Sequence, residues 1–219
     1  MYFHFLIEDR SSTVLIEILM EKIINSSNAD TVTFECTSFK GLGGFTPKNM
    51  THETRTGCLL NDLATYLCGL DKSLRYMPSC IVVVLDNDKR DTQDFRNKLE
   101  EVAAAKGIST DHVFCIAVEE MEAWLLGDET ALFSAYPSAK RQIFRTYQQD
   151  SICGTWEKLA DVVYPGGLAK MKKECPTYVE VGRQKSEWAK QIGPYMDLGK
   201  NISPSFQYFV GEIKRRLAN

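Results

Sequence analysis

The hydrophobic positions of the chain form short apolar runs that alternate with longer segments of helical periodicity. The apolar runs, which are typical of strands, cover residues 2–7, 31–36, 81–85 and 112–118. Helical spacing of apolar side chains follows the first three runs, over residues 12–23, 59–70 and 93–106. Because strands that alternate with helices form parallel sheets, this order predicts an α/β domain with a mostly parallel sheet flanked by helices.

The third apolar run leads directly into two aspartates. Residues 81–85 are apolar without alternation, which predicts a strand buried on both faces. Parallel sheets bind ligands at the carboxyl ends of their strands, and residues two apart in an extended segment point to the same side. Asp86 and Asp88 are therefore candidates to share one divalent cation. The alternative is an ordinary turn, with Asp91 as the cap of the following helix.

Acidic residues also follow two other strands. Glu8 comes after the first strand, Glu119 stands at the end of the fourth, and Glu122 lies three residues further on. For the last two, the alternative is a helix N-terminus that attracts acids through its dipole. Since the carboxyl ends of parallel strands meet at one edge, these acids together with Asp86 and Asp88 predict a site for one or two Mg²⁺ (or Mn²⁺) ions. Such a site suits phosphodiester chemistry, because the metal polarises phosphate and activates water.

The last third of the chain has no further run typical of a buried strand. Short helical segments are separated by proline and glycine, so we predict an α/β domain with the acidic metal site over residues 1–128 and a helical region packing on the same core over residues 129–219. In the final segment, Ser203 is the expected helix cap and Pro204 fits the first turn.

Composition narrows the protein class. Hydrophobic residues make up 44% and charged residues 25%, as in ordinary globular proteins. No apolar run approaches the roughly 20 residues of a membrane span, and the N-terminus lacks the basic start of a signal peptide, so we expect a cytoplasmic protein without membrane association. The seven cysteines show no C-x-x-C pair and are expected to be reduced. The isolated His4 and His112 are expected to be structural.

Charge is distributed unevenly along the chain. Residues 1–139 carry 12 Lys and Arg against 21 Asp and Glu, whereas residues 140–219 carry 14 against 8. An acidic first part suits a metal site, and a basic second part suits a polyanionic partner such as nucleic acid. Solvated helix surfaces would explain the same counts without a partner. Lys170, Lys172 and Lys173 form a basic cluster and are the candidate nucleic-acid-binding residues.

These motifs resemble a known family. An apolar strand ending in Glu, a later strand ending in Asp-x-Asp and a further acid after the next strand resemble the Toprim domain of topoisomerases, primases and overcoming-lysogenization-defect (OLD) type nucleases. More closely, F-L-I-E, V-V-V-L-D-N-D, E-M-E-A-W-L-L-G-D and S-P-S-F together resemble an uncharacterised bacterial Toprim-like family of about this length. The resemblance covers nearly the whole chain, and members of the wider group are often encoded beside ATPases of the ABC or SMC type in phage-defence operons.

The resemblance implies a Toprim-like Rossmannoid sheet and a role for each acid. Glu8 would be the general acid/base or a metal ligand, and Asp86 and Asp88 would be metal ligands. Glu122, or alternatively Glu119, would complete the cluster.

OLD-type nucleases also use a lysine near the metals, and Lys170 or Lys173 are the candidates for it. The chain departs from the pattern at Asp9, where Toprim domains commonly have glycine, and no tyrosine matches a topoisomerase nucleophile.

The function expected from these observations is that of a Mg²⁺-dependent nuclease that cuts DNA or RNA through metal-activated water, in phage defence with a partner ATPase. One alternative is a non-catalytic regulatory or binding subunit that senses nucleic acid or docks an ATPase. Another is a phosphatase of the haloacid dehalogenase type, with Asp86 as nucleophile and Asp88 as acid. That type normally has its D-x-D after the first strand and followed by Thr or Val, whereas here it follows the third strand and precedes Lys89.

Overall fold

A four-stranded parallel sheet forms the centre of the chain. The computed structural model describes residues 1–27, 29, 31–45 and 57–218. The strands are β1 (Tyr2–Ile7), β2 (Thr33–Ser38), β3 (Ser79–Asp86) and β4 (Asp111–Ala117). Their order is β2-β1-β3-β4 and every neighbouring pair is parallel. The predicted α/β class, with a parallel sheet flanked by helices, is confirmed.

Helices connect the strands and are the main elements after β4 in the part of the chain that the structure describes. Those between strands are α1 (Arg10–Ser26), α2 (Leu59–Leu74) and α3 (Thr92–Ala105). Those after β4 are α4 (Glu122–Leu126), α5 (Glu129–Ala135), α6 (Arg141–Phe144), α7 (Thr155–Val163), α8 (Gly167–Glu174), α9 (Tyr178–Ile192) and α10 (Pro204–Leu217), with a 3-10 turn at Gly193–Tyr195. None of the helices that the structure describes is long and apolar enough to cross a membrane.

The alternating side chains of β3 face two separate hydrophobic cores. All eight residues of this strand are buried, as the unbroken apolar run predicted. Val83 lies in the core formed with α2 and α3, whereas Val82 lies in the core that also contains Leu159 of α7 and Phe206 of α10. The C-terminal helices therefore cover one face of the sheet and share a core with it.

Two predicted helix caps are present. The side chain of Asp91 accepts a hydrogen bond from the backbone N–H of Asp94 at 2.9 Å and caps α3. Ser203 Oγ accepts from the backbone N–H of Phe206 at 3.2 Å, with Pro204 in the first turn of α10. At both helices the sequence identified the cap because few residue types accept this bond at the N-terminus.

The cap of α1 is Asp9, although Ser11 and Ser12 beside it are also common cap residues. Asp9 Oδ1 accepts from the backbone N–H of Ser12 at 2.7 Å. Asp9 has an extended backbone, and the helix begins at the next residue. Asp9 thus has a structural role at the position where the resembled family commonly has glycine.

His4 and His112 lie in structural positions, and the cysteines are unpaired. His4 is buried, with Nδ1 2.9 Å from the hydroxyl of Tyr2 and Nε2 3.0 Å from that of Thr37, and burial lowers its pKa. His112 Nδ1 lies 3.0 Å from the carbonyl oxygen of Thr110. All seven cysteines are free thiols.

A buried carboxylate ties α2 to the loop before β4. Asp71 Oδ1 accepts from the backbone N–H groups of Ser109 and Thr110, each at 2.8 Å, and from both hydroxyls at 2.9 Å, and Oδ2 pairs with Arg75. Burial alone would raise the pKa of Asp71, but these hydrogen bonds outweigh it and lower the pKa below its usual value.

Replacing Asp71 with asparagine should therefore destabilise the fold by about 2–4 kcal/mol at pH 7. Because folding lowers the pKa of this carboxylate, its contribution is present above its unfolded pKa of about 3.9 and is lost as the pH falls below it. Urea unfolding at pH 7 and pH 3 measures this, with Glu101→Gln on the exposed surface of α3 as the control. A penalty that is unchanged at pH 3 would contradict the assignment.

Candidate functional site

Glu8 and Asp86 meet at the carboxyl edge of the sheet. Glu8 follows β1, Asp86 is the last residue of the adjacent strand β3, and the backbone N–H of Asp86 donates to Glu8 Oε2 at 2.9 Å. The backbone N–H of Glu8 donates in turn to the carbonyl of Val84 at 3.1 Å. Asp86 is 9% exposed. Strand pairing therefore fixes these two acids side by side, as predicted from the strand ends.

The C-terminal helices bring a lysine to the same place. Lys185, in the middle of α9, has its Nζ 2.9 Å from Glu122 Oε2 and 3.6 Å from Glu120 Oε1, and its side chain is 15% exposed. Its positive charge also acts on Asp86 and Glu8. The site thus combines a carboxylate from each of two strand ends, two from the segment after β4 and one buried ammonium.

Burial and mutual repulsion shift the pKa values of these groups. Burial, followed by the neighbouring charge of Glu8, raises the pKa of Asp86 well above its usual value. Burial likewise raises the pKa of Glu8 and that of Glu120, each to about 7. Burial works to lower the pKa of Lys185, but Glu122, Glu120 and Asp86 raise it overall. The cluster therefore holds an ammonium firmly and still carries more carboxylates than that one cation neutralises.

Glu122 is buried beside the lysine of this cluster. It is 5% exposed, and its Oε2 lies 2.9 Å from Lys185 Nζ. Hard divalent cations such as Mg²⁺ prefer carboxylate oxygens as ligands. In donor chemistry, Glu8, Asp86 and Glu122 fit a divalent cation.

The acidic side chains are not yet arranged as the ligands of a bound metal ion would be. Across the ranges that the structure describes, no group of three or more His, Cys, Asp or Glu side chains is arranged so that it could hold a metal ion. A cation would thus have to draw the three carboxylates together and separate Glu122 from Lys185.

Asp88 does not lie beside Asp86 as the predicted alternation required. The strand ends at Asp86, and Asp88 has a left-handed backbone with φ of 51°. Its side chain is 56% exposed and pairs with Arg90 at 2.6 Å. The premise that the two aspartates point the same way is therefore wrong, because the chain turns between them. Asp88 still lies close enough to raise the pKa of Glu8 through its charge.

Glu119 has a structural role. Its carboxylate accepts from the backbone N–H groups of Cys153, Gly154 and Thr155 at 2.8 to 3.0 Å, and from the Thr155 hydroxyl. It thus satisfies the free N–H groups at the start of α7, and these bonds outweigh burial and lower its pKa. Of the two glutamates that the sequence left open, Glu122 is the one beside Lys185 and Asp86.

A buried asparagine organises the turns around the site. Asn87, 1% exposed, accepts a hydrogen bond from the backbone N–H of Glu119 and donates from Nδ2 to Arg90 and Thr92. It links the ends of β3 and β4, where Glu119 has an unusual left-handed φ of 59°. Such a backbone is strained for a residue with a long side chain, so Asn87 stabilises a turn that the site needs.

The basic cluster of the C-terminal part lies on α8, at the surface. Lys170 pairs with Glu174 at 3.7 Å, Lys172 lies over the ring of Trp156 at 5.6 Å, and Lys173 is exposed. The lysine beside the acids is Lys185, rather than Lys170 or Lys173 as suggested by the resemblance.

The sequence contained one signal for Lys185. In α9 the positions 178, 181, 185, 188 and 192 fall on one helix face, and Trp188 and Ile192 on that face are buried. A lysine between apolar residues on a helix face that packs on the core requires a partner of opposite charge. Its partners, Glu120 and Glu122, come from a distant part of the chain, so the pairing itself needed the fold.

A family model described as "Domain of unknown function (DUF4276)" matches residues 7–214. No curated protein and no solved structure matches the chain.

Proposed function

The chain belongs to the family described as Domain of unknown function (DUF4276), and from the geometry of its acidic site we propose that it is a Mg²⁺-dependent nuclease that hydrolyses phosphodiester bonds of DNA or RNA. The observation that carries this proposal is the meeting of Glu8, Asp86 and Glu122 with the buried Lys185 at the carboxyl edge of the sheet. Parallel sheets bind their ligands at this edge.

Glu8, Asp86 and Glu122 would hold the cation, since Mg²⁺ prefers carboxylate oxygens. When bound, Mg²⁺ supplies polarisation of a phosphoryl oxygen and lowers the pKa of water. Alternatively, with Asp86 and Glu122 alone holding the cation, Glu8, whose pKa burial raises to about 7 in the metal-free protein, suits proton acceptance from an attacking water. The ammonium of Lys185 offers positive charge to the phosphate, once Glu122 turns towards the cation.

A partner ATPase of the ABC or SMC type and a role in phage defence belong to the same proposal, and the resemblance described above is their support. Nucleic acid as the polyanionic substrate is supported by the surplus of Lys and Arg in residues 140–219.

A non-catalytic regulatory or binding subunit is the second candidate, because Lys185 already neutralises part of the acidic cluster without a metal. The haloacid dehalogenase type of phosphatase is disfavoured. Its acid stands two residues after the nucleophile, and here Asp88 is turned outwards and paired with Arg90.

The nuclease proposal is tested by cleavage of plasmid DNA, single-stranded DNA and tRNA with Mg²⁺, with Mn²⁺ and with a chelator. We expect wild type to cleave at least one of these with metal, alone or with the partner ATPase, and Asp86→Ala to lose that activity. Glu101→Ala, on the exposed surface of α3, is the matched control. Cleavage that Asp86→Ala leaves intact would count against the proposed site, and no cleavage under any of these conditions would favour the non-catalytic subunit.

A further inference from the structure

The side of α9 that packs on the core is buried in its C-terminal half and exposed at its N-terminal end. At its C-terminal half, Trp188 and Ile192 are 1% and 0% exposed, and Lys185 in the middle is 15% exposed at its side chain. Tyr178, on the same side two turns earlier, is 98% exposed. Residues seven apart lie on one helix face about 10 Å apart along the axis. An aromatic ring is thus fully accessible on the face that carries Lys185 into the acidic site.

A continuous set of contacts links this lysine to the basic surface of α8. The ammonium of Lys172 lies 5.6 Å from the centre of the Trp156 ring. The backbone N–H of Trp156 donates to Glu120 Oε2 at 2.9 Å, and Glu120 Oε1 lies 3.6 Å from Lys185. The ring of Trp156 in α7 therefore lies under Lys172 of α8, and its backbone is connected to Lys185 of α9 through Glu120.

We propose that Trp156, Lys172, Lys173 and Tyr178 form a binding surface for single-stranded nucleic acid that leads the strand to Lys185 and the acidic site. Lys172 and Lys173 contact the phosphates, and a base stacks on Tyr178. The direction of the strand towards the acids rests on the proposed nuclease function, whereas the binding surface does not depend on it.

The chemistry of this surface favours nucleic acid as the occupant. Lys172 and Lys173 are exposed, Lys172 lies over the half-buried ring of Trp156, and Lys170 is paired with Glu174. The fully exposed ring of Tyr178 follows five residues after Lys173. Lysines that follow a phosphate backbone, together with aromatic side chains on which bases stack, are the features that bind single strands. A duplex keeps its bases stacked on one another, so it cannot use Tyr178 in this way.

The test measures binding of a short fluorescent single-stranded oligonucleotide by anisotropy, in a chelator so that no cleavage occurs. Tyr178→Ala should weaken binding about tenfold, because a stacked base contributes roughly 1–3 kcal/mol, and Tyr178→Phe should bind like wild type. Replacing Lys172 and Lys173 with alanine should weaken binding and reduce the slope of log affinity against log salt by about 1.4.

Matched controls lie at the opposite edge of the sheet. Tyr76 is 92% exposed and stands shortly before the start of β3, and Lys72 and Lys106 are exposed at the ends of α2 and α3. Tyr76→Ala and the double alanine variant of Lys72 and Lys106 should bind like wild type. Equal effects of Tyr178→Ala and Tyr76→Ala, or tighter binding of duplex than of single strand, would overturn the proposal.

The outcomes separate this inference from the nuclease proposal. Binding that depends on Tyr178, without Mg²⁺-dependent cleavage, supports the surface and counts against the nuclease. Cleavage that depends on Asp86, with binding indifferent to Tyr178, supports the nuclease and overturns the surface.

Discussion

Replacing Lys185 with methionine is expected to destabilise the metal-free protein by about 3–5 kcal/mol at neutral pH. Methionine keeps most of the apolar stem of the side chain but removes the ammonium that lies 2.9 Å from Glu122 and 3.6 Å from Glu120. The buried carboxylates are then left without that cation, and removing one partner of a buried ion pair costs far more than the pair itself contributes. Urea unfolding in a chelator measures the loss, with Lys190→Met, an exposed lysine of the same helix, as the control.

The pH dependence of this loss identifies its cause. The pKa of Lys185 is raised on folding, so wild type keeps its contribution at every pH below the unfolded value of about 10.4. Without that ammonium, Glu8 and Glu120, whose pKa values are already raised to about 7, must be protonated or stay charged without the cation that lowers their pKa values. A carboxylate whose pKa is higher in the folded than in the unfolded protein makes folding less favourable as the pH rises, because the folded state resists its deprotonation. The penalty of Lys185→Met should therefore grow from pH 5 to pH 8, and a constant penalty would point to lost packing instead.

The strand ends were predictable because their signals are local. The unbroken apolar run before Asp86, and the shorter one before Glu8, identify buried strands, and the parallel alternation of strands and helices places both ends at one edge. Both acids are found there, joined by the hydrogen bond from the backbone of Asp86. The sequence was therefore sufficient to predict that the site lies at the carboxyl edge of the sheet and that Glu8 and Asp86 lie side by side there.

The remaining parts of the site depend on turns and long-range contacts. Whether Asp88 follows Asp86 in extended conformation is decided at Asn87, whose side chain bonds across to Glu119 on the other strand end. The carboxylate of Glu119 accepts hydrogen bonds from the start of α7, more than 30 residues later in the chain. No local sequence pattern predicts such a contact. Lys185 reaches the site only because α9 packs against α1 and α4, which is a property of the folded core.

The other large effect is expected at Asp86, where activity and stability should change in opposite directions. Asp86→Asn should reduce Mg²⁺-dependent cleavage about a thousandfold or more, because a bound metal provides several kcal/mol of transition-state stabilisation and each 1.36 kcal/mol is tenfold. The same change removes a buried charge whose pKa is raised by burial and by Glu8. The metal-free variant should therefore be more stable than wild type, by about 0.5–2 kcal/mol.

Magnesium should reverse that order of stability. Free Mg²⁺ at about a hundred times its dissociation constant would stabilise wild type by about 2.7 kcal/mol, and the variant far less. Thermal unfolding of both proteins with a chelator and with Mg²⁺ measures the two differences, and Glu101→Gln should respond like wild type. If Asp86→Asn is stabilised by Mg²⁺ as much as wild type is, the cation binds elsewhere. If Asp86→Asn is less stable than wild type in the chelator, the carboxylate of Asp86 stabilises the fold through its contact with Glu8. Asp86 would then not be a residue whose burial costs stability for the sake of activity.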